Sequence, residues 1–517
     1  MSDTNAKVAK RREEAKKAKA RNQRRANSPI SVKARKTIIK VAAIALACIL
    51  ALIIILPNIG ATKRAVTAMK VGENEISSAE FSYYYTEQLN NLYYTYYYYG
   101  LTDYFPIDTT TSLKKQIYSG EMTYADYFEQ QAIASIREAY VLYSEALADG
   151  YELTEADQKN IDTQLETIDT TAKSYGYSTN RYLRRNYGPG VNRKLFEKIL
   201  TVQTIASSYA AQKGESFTYT LEQLASYYNT HKEDLDKIDI RYYKVAVTNK
   251  ADATDEEKAE ALEAARLQAE TLVNGITTEE EYSANILNYL KSLSADPESV
   301  TTETSLHSAV TYTSLKGNSK NLADWATKAG RTAGDMGVVD AGDETGYYAV
   351  YMVTPSYRDN YETVDVRHIL VSLGSYDKND TEAAEAAKKV AHAEAEKLLE
   401  EWKNNPTEEN FAAMADKNSA DSPEGGLYTK VYKNQMVSPF NDWIFDAERK
   451  PGDTGIVDTE YGSHVMYFVG TNVPYWQVSA ESSLRSEDYA AYYEEAAKKY
   501  EVTTNAFGLW YRTEPLK

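Results

Sequence analysis

The chain is poor in the residues from which many active sites and cross-links are built. Its 517 residues include one cysteine, Cys48, and five histidines. A single cysteine excludes a disulfide within the chain, so each domain must be held together by its hydrophobic core. The sequence also lacks a glycine-rich phosphate loop, a metal-ligand spacing and a nucleophile elbow, and its Gly-Pro-Gly at Gly188 is typical of a turn.

Phenylalanine is scarce and tyrosine is abundant, at 10 against 45 residues. The overall composition is globular, and nothing in it indicates a wholly disordered chain. A chain of this length exceeds one ordinary core, so we expect several domains.

Charge is distributed unevenly along the chain. The first 40 residues carry 14 Lys and Arg against three Asp and Glu, a net charge of +11. The whole chain has a net charge of −17, so the residues after position 40 have a net charge of −28. The run VAAIALACILALIIIL follows, from Val41 to Leu56. With its flanks it reaches the roughly 20 residues of a membrane span. We therefore predict a transmembrane anchor at 37–61, a basic cytoplasmic tail at 1–36, no nucleic-acid partner, and the bulk of the chain outside the cell membrane.

Two alternatives to the anchor remain open. A cleaved signal peptide usually has a shorter apolar core that ends in small residues. Lipid attachment at Cys48 is the second alternative, although eight more apolar residues follow that cysteine.

Residues 62–236 predict one mostly helical domain. Ser77 and Glu80 form a capping box for a helix that ends at Gly100. Turn residues separate the further helices, which are predicted over Thr123–Ala148, Thr154–Ser174 and Val191–Lys213, and Thr220 with Gln223 caps one more. No cluster of His, Cys or carboxylates marks a catalytic site in this region.

The first of these helices carries nine tyrosines between Phe81 and Gly100. One apolar stripe uses Phe81, Tyr85, Leu89, Leu92, Tyr93 and Tyr96. We expect four other tyrosines to lie off that stripe, namely Tyr83, Tyr94, Tyr97 and Tyr98. Tyrosine offers a flat apolar contact with a wettable edge, so these side chains either bind other polypeptides or pack against the C-terminal tail.

An internal repeat organises the second half of the chain. The segments at 324–340 (DWATKAGRTAGDMGVVD) and 442–458 (DWIFDAERKPGDTGIVD) align without a gap, and nine of their seventeen positions are identical. The repeat extends to the flanking strands, with DIRYYKV at Asp239 matching DVRHILV at Asp365. Residues 237–357 are therefore predicted to be a second copy of the module at 358–475.

Two histidines stand at the ends of the later copy. Alternating apolar and β-branched residues predict strands around Val366–Val371 and Val465–Val469. We expect these strands to be neighbours in one small sheet, so that His368 and His464 meet. The earlier copy has tyrosines at both positions, Tyr242 and Tyr348, so chemistry that requires two imidazoles is absent from it.

The motifs VRHIL, NFAAMA, SADS, GG, QMVSPF, KPGDTGIV and YGSHV follow one another between residues 366 and 465. In this order they resemble a parvulin-type peptidyl-prolyl isomerase domain, and their context resembles the extracytoplasmic PrsA and SurA foldases. The resemblance implies an α+β chain: after the transmembrane helix come a helical SurA-like chaperone domain, two parvulin-like modules of which the first is degenerate, and a C-terminal helical tail at 476–517.

The resemblance also implies roles for particular residues. His368 and His464 match the paired histidines that form the floor of the parvulin site. Asp421 matches a position that is Cys or Asp in the family, and Thr459 matches a hydroxyl that supports the imidazole pair. No metal or cofactor is implied.

The walls of the proline pocket match Leu427, Met436 and Phe440. Two departures from the family pattern affect this part of the site. The glycine turn commonly reads GGDLG, whereas this chain has GGLY, which shortens the loop before Leu427. Tyr461 also replaces a smaller residue near the second histidine.

These observations together predict a membrane-anchored peptidyl-prolyl cis-trans isomerase and chaperone. Its partners would be unfolded exported polypeptides with X-Pro bonds. Two other functions remain open: a non-catalytic holdase, and a cell-envelope scaffold whose tyrosine-rich surface binds wall polymer.

Overall fold

The computed structural model describes residues 3–26, 39–46, 60–247, 253–342, 344–376, 380–421 and 423–516. The predicted anchor at 37–61 falls mostly on residues outside these ranges, as does Cys48. Among the residues that are described, no helix has the length and apolar character that crossing a membrane requires.

The fold is mixed α+β and mostly helical, as predicted. Residues 39–46 are helical. The other α-helices are α1 Asp3–Ala26, α2 Ala61–Ala65, α3 Ser78–Tyr98, α4 Tyr124–Ala148, α5 Glu155–Ser174, α6 Thr179–Tyr187, α7 Arg193–Ser216, α8 Leu221–Thr230, α9 Lys232–Leu235, α10 Asp255–Val273, α11 Glu279–Leu293, α12 Tyr312–Asn318, α13 Lys320–Ala326, α14 Thr381–Lys403, α15 Glu408–Asn418, α16 Ser438–Ile444, α17 Tyr475–Ala497 and α18 Ala506–Trp510.

The strands are β1 Thr67–Val71, β2 Asn74–Ser77, β3 Ile117–Ser119, β4 Met122–Thr123, β5 Lys237–Ala246, β6 Leu306–Val310, β7 Met336–Asp340, β8 Gly346–Tyr357, β9 Glu362–Ser372, β10 Leu427–Val431, β11 Thr454–Asp458, β12 Gly462–Pro474 and β13 Val502–Thr504. The chain divides into two compact units, one of residues 1–217 with 488–517 and one of residues 218–487.

The first unit is a helical domain closed by the C-terminal segment. Its helices begin at polar caps: Thr123 and Thr154 each close a capping box over the first turn of α4 and α5. The C-terminal strand β13 pairs with β1 in a three-stranded sheet of order β13-β1-β2. The end of the chain therefore returns to the helical domain.

Glu80 corrects one detail of the predicted capping. The Ser77 hydroxyl accepts the Glu80 backbone N–H at 3.2 Å, but the Glu80 side chain does not reach back to close a box. It is 1% exposed, accepts the Tyr140 hydroxyl and pairs with Lys198 at 2.9 Å. A carboxylate buried among helices is stabilised better by these two donors than by a backbone group at the surface.

The second unit contains two four-stranded antiparallel sheets that share one strand order. The order is β6-β5-β8-β7 in the earlier sheet and β10-β9-β12-β11 in the later one. Both sheets carry a residue of positive φ in the first-listed strand, Ala309 (φ 53°) and Lys430 (φ 52°). Each of these residues donates its backbone N–H to an aspartate at 2.7 Å, Asp239 in one sheet and Asp365 in the other. The two copies therefore share even this local irregularity in the backbone of the edge strand.

Helices α8 and α9 belong to a different unit from the one that the sequence predicted. The sequence analysis placed them in the helical domain at 62–236, whereas contacts place residues from Thr218 onward in the second unit. Leu224 and Tyr228 of α8 pack with Trp476 and Ala480 of α17 in a small core of their own.

Candidate active site

The two predicted histidines lie on adjacent central strands of the later sheet. His368 of β9 is opposite Met466, and His464 of β12 is opposite Leu370. Side chains alternate faces along a strand, so His368, Leu370 and His464 project from the same face. The Nδ1 atoms of the two imidazoles lie 3.0 Å apart, within hydrogen-bond distance.

The partners of the pair determine which nitrogen carries each proton. His368 Nε2 lies 3.1 Å from the Asp421 carboxylate, which only accepts, so Nε2 carries the proton and Nδ1 accepts. His464 must then donate from Nδ1, which leaves its Nε2 to accept the Thr459 hydroxyl at 2.8 Å. The hydrogen bonds therefore run in one direction, from Thr459 through His464 and His368 to Asp421.

Both imidazoles are held neutral by their surroundings. Burial lowers the pKa of His368, which is 2% exposed, although the Asp421 carboxylate opposes this change. Burial and the neighbouring imidazole lower the pKa of His464 to about 4. The contact between His368 and Asp421 is therefore a hydrogen bond to a carboxylate from a neutral ring, and the pair is uncharged at neutral pH.

Asp421 accepts from a second donor at the same carboxylate oxygen. The Tyr428 hydroxyl donates to its carboxylate at 2.9 Å, and the Tyr428 and His368 rings lie 5.3 Å apart. Burial and this carboxylate raise the pKa of Tyr428 to about 12, so the phenol stays protonated and keeps donating.

A cavity of about 370 Å³ opens above the histidine pair. Its lining residues are His368, Leu370, Asp421, Tyr428, Gln435, Met436, Val437, Phe440, Tyr461 and His464. Phe440 meets both imidazoles edge to face, at 5.2 Å and 5.4 Å between ring centroids. An apolar slot of this kind, with a few placed polar groups, suits a small apolar ring such as the side chain of proline.

Residues 351–470 match the model of the PPIC-type peptidyl-prolyl isomerase domain. This part of the chain is a parvulin-type peptidyl-prolyl isomerase domain. No curated protein matches the chain.

Among solved structures, the chain is similar to three PrsA proteins at 14% identity each. For PrsA of Bacillus subtilis the match covers 76% of this chain and 92% of that one, with a TM-score of 0.28. For the peptidylprolyl isomerase PrsA of Bacillus anthracis it covers 53% and 94%, with a TM-score of 0.18. For that of Bacillus cereus it covers 62% and 92%, with a TM-score of 0.17. The assignment of the parvulin domain depends on the family match and on the geometry of the site.

The parvulin domain brings together six of the seven residues named from the sequence. His368, Asp421, Thr459 and His464 form the hydrogen-bonded chain, and Met436 and Phe440 line the cavity. The exception is Leu427, which is opposite Arg367 in the sheet and does not line the cavity.

Tyr428 takes the position that the sequence analysis gave to Leu427. Aligned without a gap, GGLY has Leu427 at the aspartate of GGDLG and Tyr428 at its leucine. Consecutive residues of a strand project from opposite faces, so Tyr428 faces the site and Leu427 does not. Gly426 holds this turn against β9, because a Cβ at its φ of 64° would collide with the carbonyl oxygen of His368. The predicted shortening of this turn is wrong, because the place of Tyr428 leaves no residue missing.

His392 makes a further contact beside the site. It lies on α14, and its Nδ1 is 2.9 Å from the carboxylate of Asp458, which also accepts the Ser463 hydroxyl at 2.6 Å. Asp458 directly precedes Thr459, so α14 is tied to the turn that supports His464. The Asp458 hydrogen bond raises the pKa of His392, although burial opposes this change. The spacing of His392 to Asp458 in sequence gave no signal of this pair.

Aromatic side chains occupy the corresponding place in the earlier sheet. Tyr242 and Tyr348 stand where the parvulin domain has its histidines, and their rings meet edge to face at 5.6 Å. His307, which corresponds to Tyr428, stacks on Tyr242 at 4.0 Å and 9°. Ala341 stands where the parvulin domain has Thr459, so the directional chain of hydrogen bonds has no counterpart. Across all described residues, no group of three or more His, Cys, Asp and Glu is arranged to hold a metal.

Proposed function

We propose that this protein is a membrane-anchored, extracytoplasmic peptidyl-prolyl cis-trans isomerase and chaperone that assists the folding of exported polypeptides. The observation that carries the catalytic part is the neutral, hydrogen-bonded pair His368–His464 beneath an apolar cavity. The parvulin domain supplies the isomerase, and the helical unit supplies a surface for unfolded chains.

Rotation of an X-Pro bond passes through a twisted amide in which the resonance of the planar form is lost. Resonance accounts for a barrier of roughly 18 to 20 kcal/mol, and no bond is made or broken. The planar amide separates charge more than the twisted one, so removing it from water into an apolar cavity disfavours the planar form. Met436 and Phe440 seat the ring, and the cavity excludes water around the bond.

The polar wall of the cavity acts in the same direction. Among the lining residues Asp421 carries a charge, and His368 and Tyr428 hold its carboxylate in place. A negative charge beside the substrate carbonyl opposes the build-up of negative charge on its oxygen that resonance requires. The site therefore favours the transition state over the ground state, which is the condition for catalysis.

An isomerase assay on the full chain tests this assignment. The exchange rate of a peptide with one X-Pro bond is measured with His368→Ala, His464→Ala and, as the matched control, His307→Ala in the earlier module. We expect both substitutions in the pair to lower kcat/KM by about 10²-fold or more, the usual scale for a positioned polar group, and the control to have no effect. Full activity in a folded variant of the pair would contradict the assignment and favour a non-catalytic holdase.

The proposed location is supported by the order of charge and hydropathy in the sequence. A tail of net charge +11 precedes the apolar run, and the acidic remainder follows it. Loops rich in Lys and Arg stay in the cytoplasm, so the tail is placed inside and the folded units outside.

Protease accessibility in intact cells tests this topology. We expect an externally added protease to digest the chain beyond about residue 60, the predicted end of the span, and to leave an epitope fused to Met1 protected. Permeabilised cells serve as the control, because both ends must then be digested. Digestion of the tail in intact cells would reverse the orientation.

A further inference from the structure

An exposed aromatic cluster lies beside the segment that begins at Gly60. In α18 and the residue after it, Phe507 is 56% exposed and Trp510 is 65% exposed. Both rings stack on that of Tyr511, and the three ring centroids lie 5.6 to 6.4 Å from one another. We call these three side chains the aromatic edge.

The aromatic edge is held rigidly. Gly508 and Leu509 point inward, and a Cβ on Gly508 would collide with the backbone of Thr67 in β1. The buried Ser78 hydroxyl donates to the Gly508 carbonyl oxygen at 2.7 Å, and the Asn505 side chain caps the helix by accepting two backbone N–H groups. Helix α18 is therefore fixed against β1 on one side, and Phe507 and Trp510 project from its other side into solvent.

Tyr511 of the aromatic edge contacts Thr62 and Lys63 of α2. The Thr62 and Tyr511 hydroxyls are 2.8 Å apart, and the Lys63 ammonium lies 4.5 Å from the centre of the Tyr511 ring. Lys63 also donates to the Tyr511 carbonyl oxygen. Residues 62 and 63 thus share one surface with the aromatic edge.

This surface lies close in sequence to the apolar run. Three residues, 57 to 59, separate Leu56 from Gly60. Even a fully extended chain spans only about 14 Å over four residue steps. If the apolar run spans the bilayer, Gly60 lies within about that distance of the hydrocarbon, and α2 with the aromatic edge follows directly after it, close to the headgroup layer of roughly 5 to 8 Å.

The charge of this surface also suits contact with an anionic membrane. Residues 60–66 contain Lys63 and Arg64, and neither this segment nor residues 505–511 contains an acidic residue. The chain beyond residue 40 carries −28, so an anionic membrane repels most of the protein. Trp and Tyr are the side chains that favour the boundary between headgroups and hydrocarbon, where a ring is apolar and its polar edge stays wet.

We infer that the aromatic edge, with Lys63 and Arg64 beside it, rests in the headgroup layer of the outer face of a bilayer that contains anionic lipid. The surface fixes the helical unit against the membrane that anchors the chain. This inference rests on the proposed membrane anchoring.

Fluorescence quenching by brominated lipid tests the contact. The full chain is reconstituted into vesicles of phosphatidylcholine and phosphatidylglycerol, with and without bromine on the acyl chains near the headgroup. Wild type is compared with Trp510→Phe and with the matched control Trp443→Phe in the parvulin domain. Flotation of the vesicles after an alkaline wash reports anchoring separately.

The expected result is that all three proteins float, that brominated lipid quenches the emission of wild type and Trp443→Phe, and that Trp510→Phe loses most of this quenching. Flotation with equal quenching in wild type and Trp510→Phe leaves the anchor intact and overturns the docking of the edge. Flotation without quenching, with Trp510 protected from aqueous iodide, also overturns it, because a second copy or a bound polypeptide then covers the edge. Failure to float overturns the anchoring and the inference with it.

Discussion

Thr459 supplies the first donor in the chain of hydrogen bonds through the site. Its hydroxyl donates to His464 Nε2 at 2.8 Å and accepts the Tyr461 backbone N–H at 3.2 Å. Without this donor, the Nε2 lone pair of a buried imidazole has no partner and the tautomer that positions His368 loses its support. The hydroxyl, and no other part of the side chain, supplies this effect.

We therefore predict that Thr459→Val lowers kcat/KM about tenfold or more, since an unpaired buried acceptor costs about 1 to 3 kcal/mol. Thr459→Ser keeps the hydroxyl and is the matched control, expected to stay within a few-fold of wild type. Measurement of both variants with one proline peptide decides the matter. Equal activity of the valine variant and wild type would show that the hydroxyl does not orient the pair.

The pH dependence of the domain follows from the neutral state of the pair. Burial lowers the pKa of His464 to about 4, whereas an unfolded histidine titrates near 6.5. Between these values the unfolded chain binds protons that the folded domain does not, so stability is lost as the pH falls from about 6.5 toward 4. Protonation of His464 near pH 4 also removes the donor–acceptor order of the chain.

We predict a constant isomerase rate from pH 6 to 8 and a decline below about pH 5. Urea unfolding of the full chain, followed at the parvulin domain, is expected to show a midpoint that falls over the same acidic range. His307→Ala serves as the control and should leave both profiles unchanged. A rate that changes around pH 6.5, with no inflection near 4, would mean that the pair carries charge at neutral pH.

At the scale of elements, helix α3 changes character along its length. Its first turns are buried from Ser78 to Thr86, whereas its last turns expose tyrosines to solvent. Tyr94, Tyr97 and Tyr98 are 65%, 64% and 83% exposed, which confirms the prediction that they lie off the buried stripe. Tyr83 was placed wrongly: it is 6% exposed and packs against Tyr187 and Phe196.

The triple variant of Tyr94, Tyr97 and Tyr98 to serine tests a chaperone role of this surface. We predict that it suppresses aggregation of an unfolded client less well than wild type and isomerises peptides at the same rate. Tyr175→Ser, at a tyrosine that is 66% exposed directly after α5, is the matched control. Undiminished protection by the triple variant would place client binding elsewhere.

Tyr83 makes the counter-test for packing. Tyr83→Ser should destabilise the helical unit by about 3 to 5 kcal/mol, as truncation of a buried aromatic ring usually does. A loss of chaperone activity in that variant would reflect unfolding. The test of client binding therefore uses Tyr94, Tyr97 and Tyr98 and leaves Tyr83 unchanged.

Periodicity and caps predict elements well where one signal is strong and local. The helices α4, α5 and α7 begin at polar caps, and α4 and α5 end at glycine-containing turns. Helix α14 carries a continuous stretch of helix formers. The repeat at 324–340 and 442–458 predicted twin modules, and two sheets of equal strand order are observed. The histidine pair followed from the predicted pairing of the two strands.

The remaining features depend on tertiary structure. Helix α6 was missed because nine residues between two turns give few periods of the apolar pattern. The exchange of Leu427 for Tyr428 is a shift of one residue, which the alternation of a strand cannot reveal without the turn. The burial of Tyr83 and Glu80 depends on α4 and α7. No local pattern in the sequence of α3 specifies which helices will cover these two side chains.

At the scale of the whole molecule, the chain must return to its beginning to complete the first unit. Arg512 is buried, pairs with Glu129 at 2.6 Å and lies over the Tyr85 ring at 4.4 Å. The Thr513 backbone N–H donates to the buried Ser82 hydroxyl at 2.8 Å. A segment more than 400 residues downstream thereby supplies contacts that the first helices cannot make among themselves.

Glu145 shows most directly what the returning segment supplies. Its carboxylate is buried within α4 and accepts the Tyr500 hydroxyl and the Lys499 ammonium, both at 2.8 Å. Removal of these donors leaves a buried charge without its main partners, which costs about 3 to 5 kcal/mol. Loss of β13 also exposes an edge of the β1 strand, and loss of α18 removes Leu509 from the core and uncovers the residues around it.

We predict that a chain ending at Ala497 retains a folded parvulin domain and loses the folded helical unit, because the combined loss is a large part of the roughly 5 to 15 kcal/mol that stabilise a domain. Calorimetry should show that one thermal transition disappears while isomerase activity persists. A chain that ends at Glu514 keeps every contact described for Glu145 and Arg512 and is the matched control. An unchanged transition in the shorter chain would show that residues 60–217 fold without their C-terminal partner.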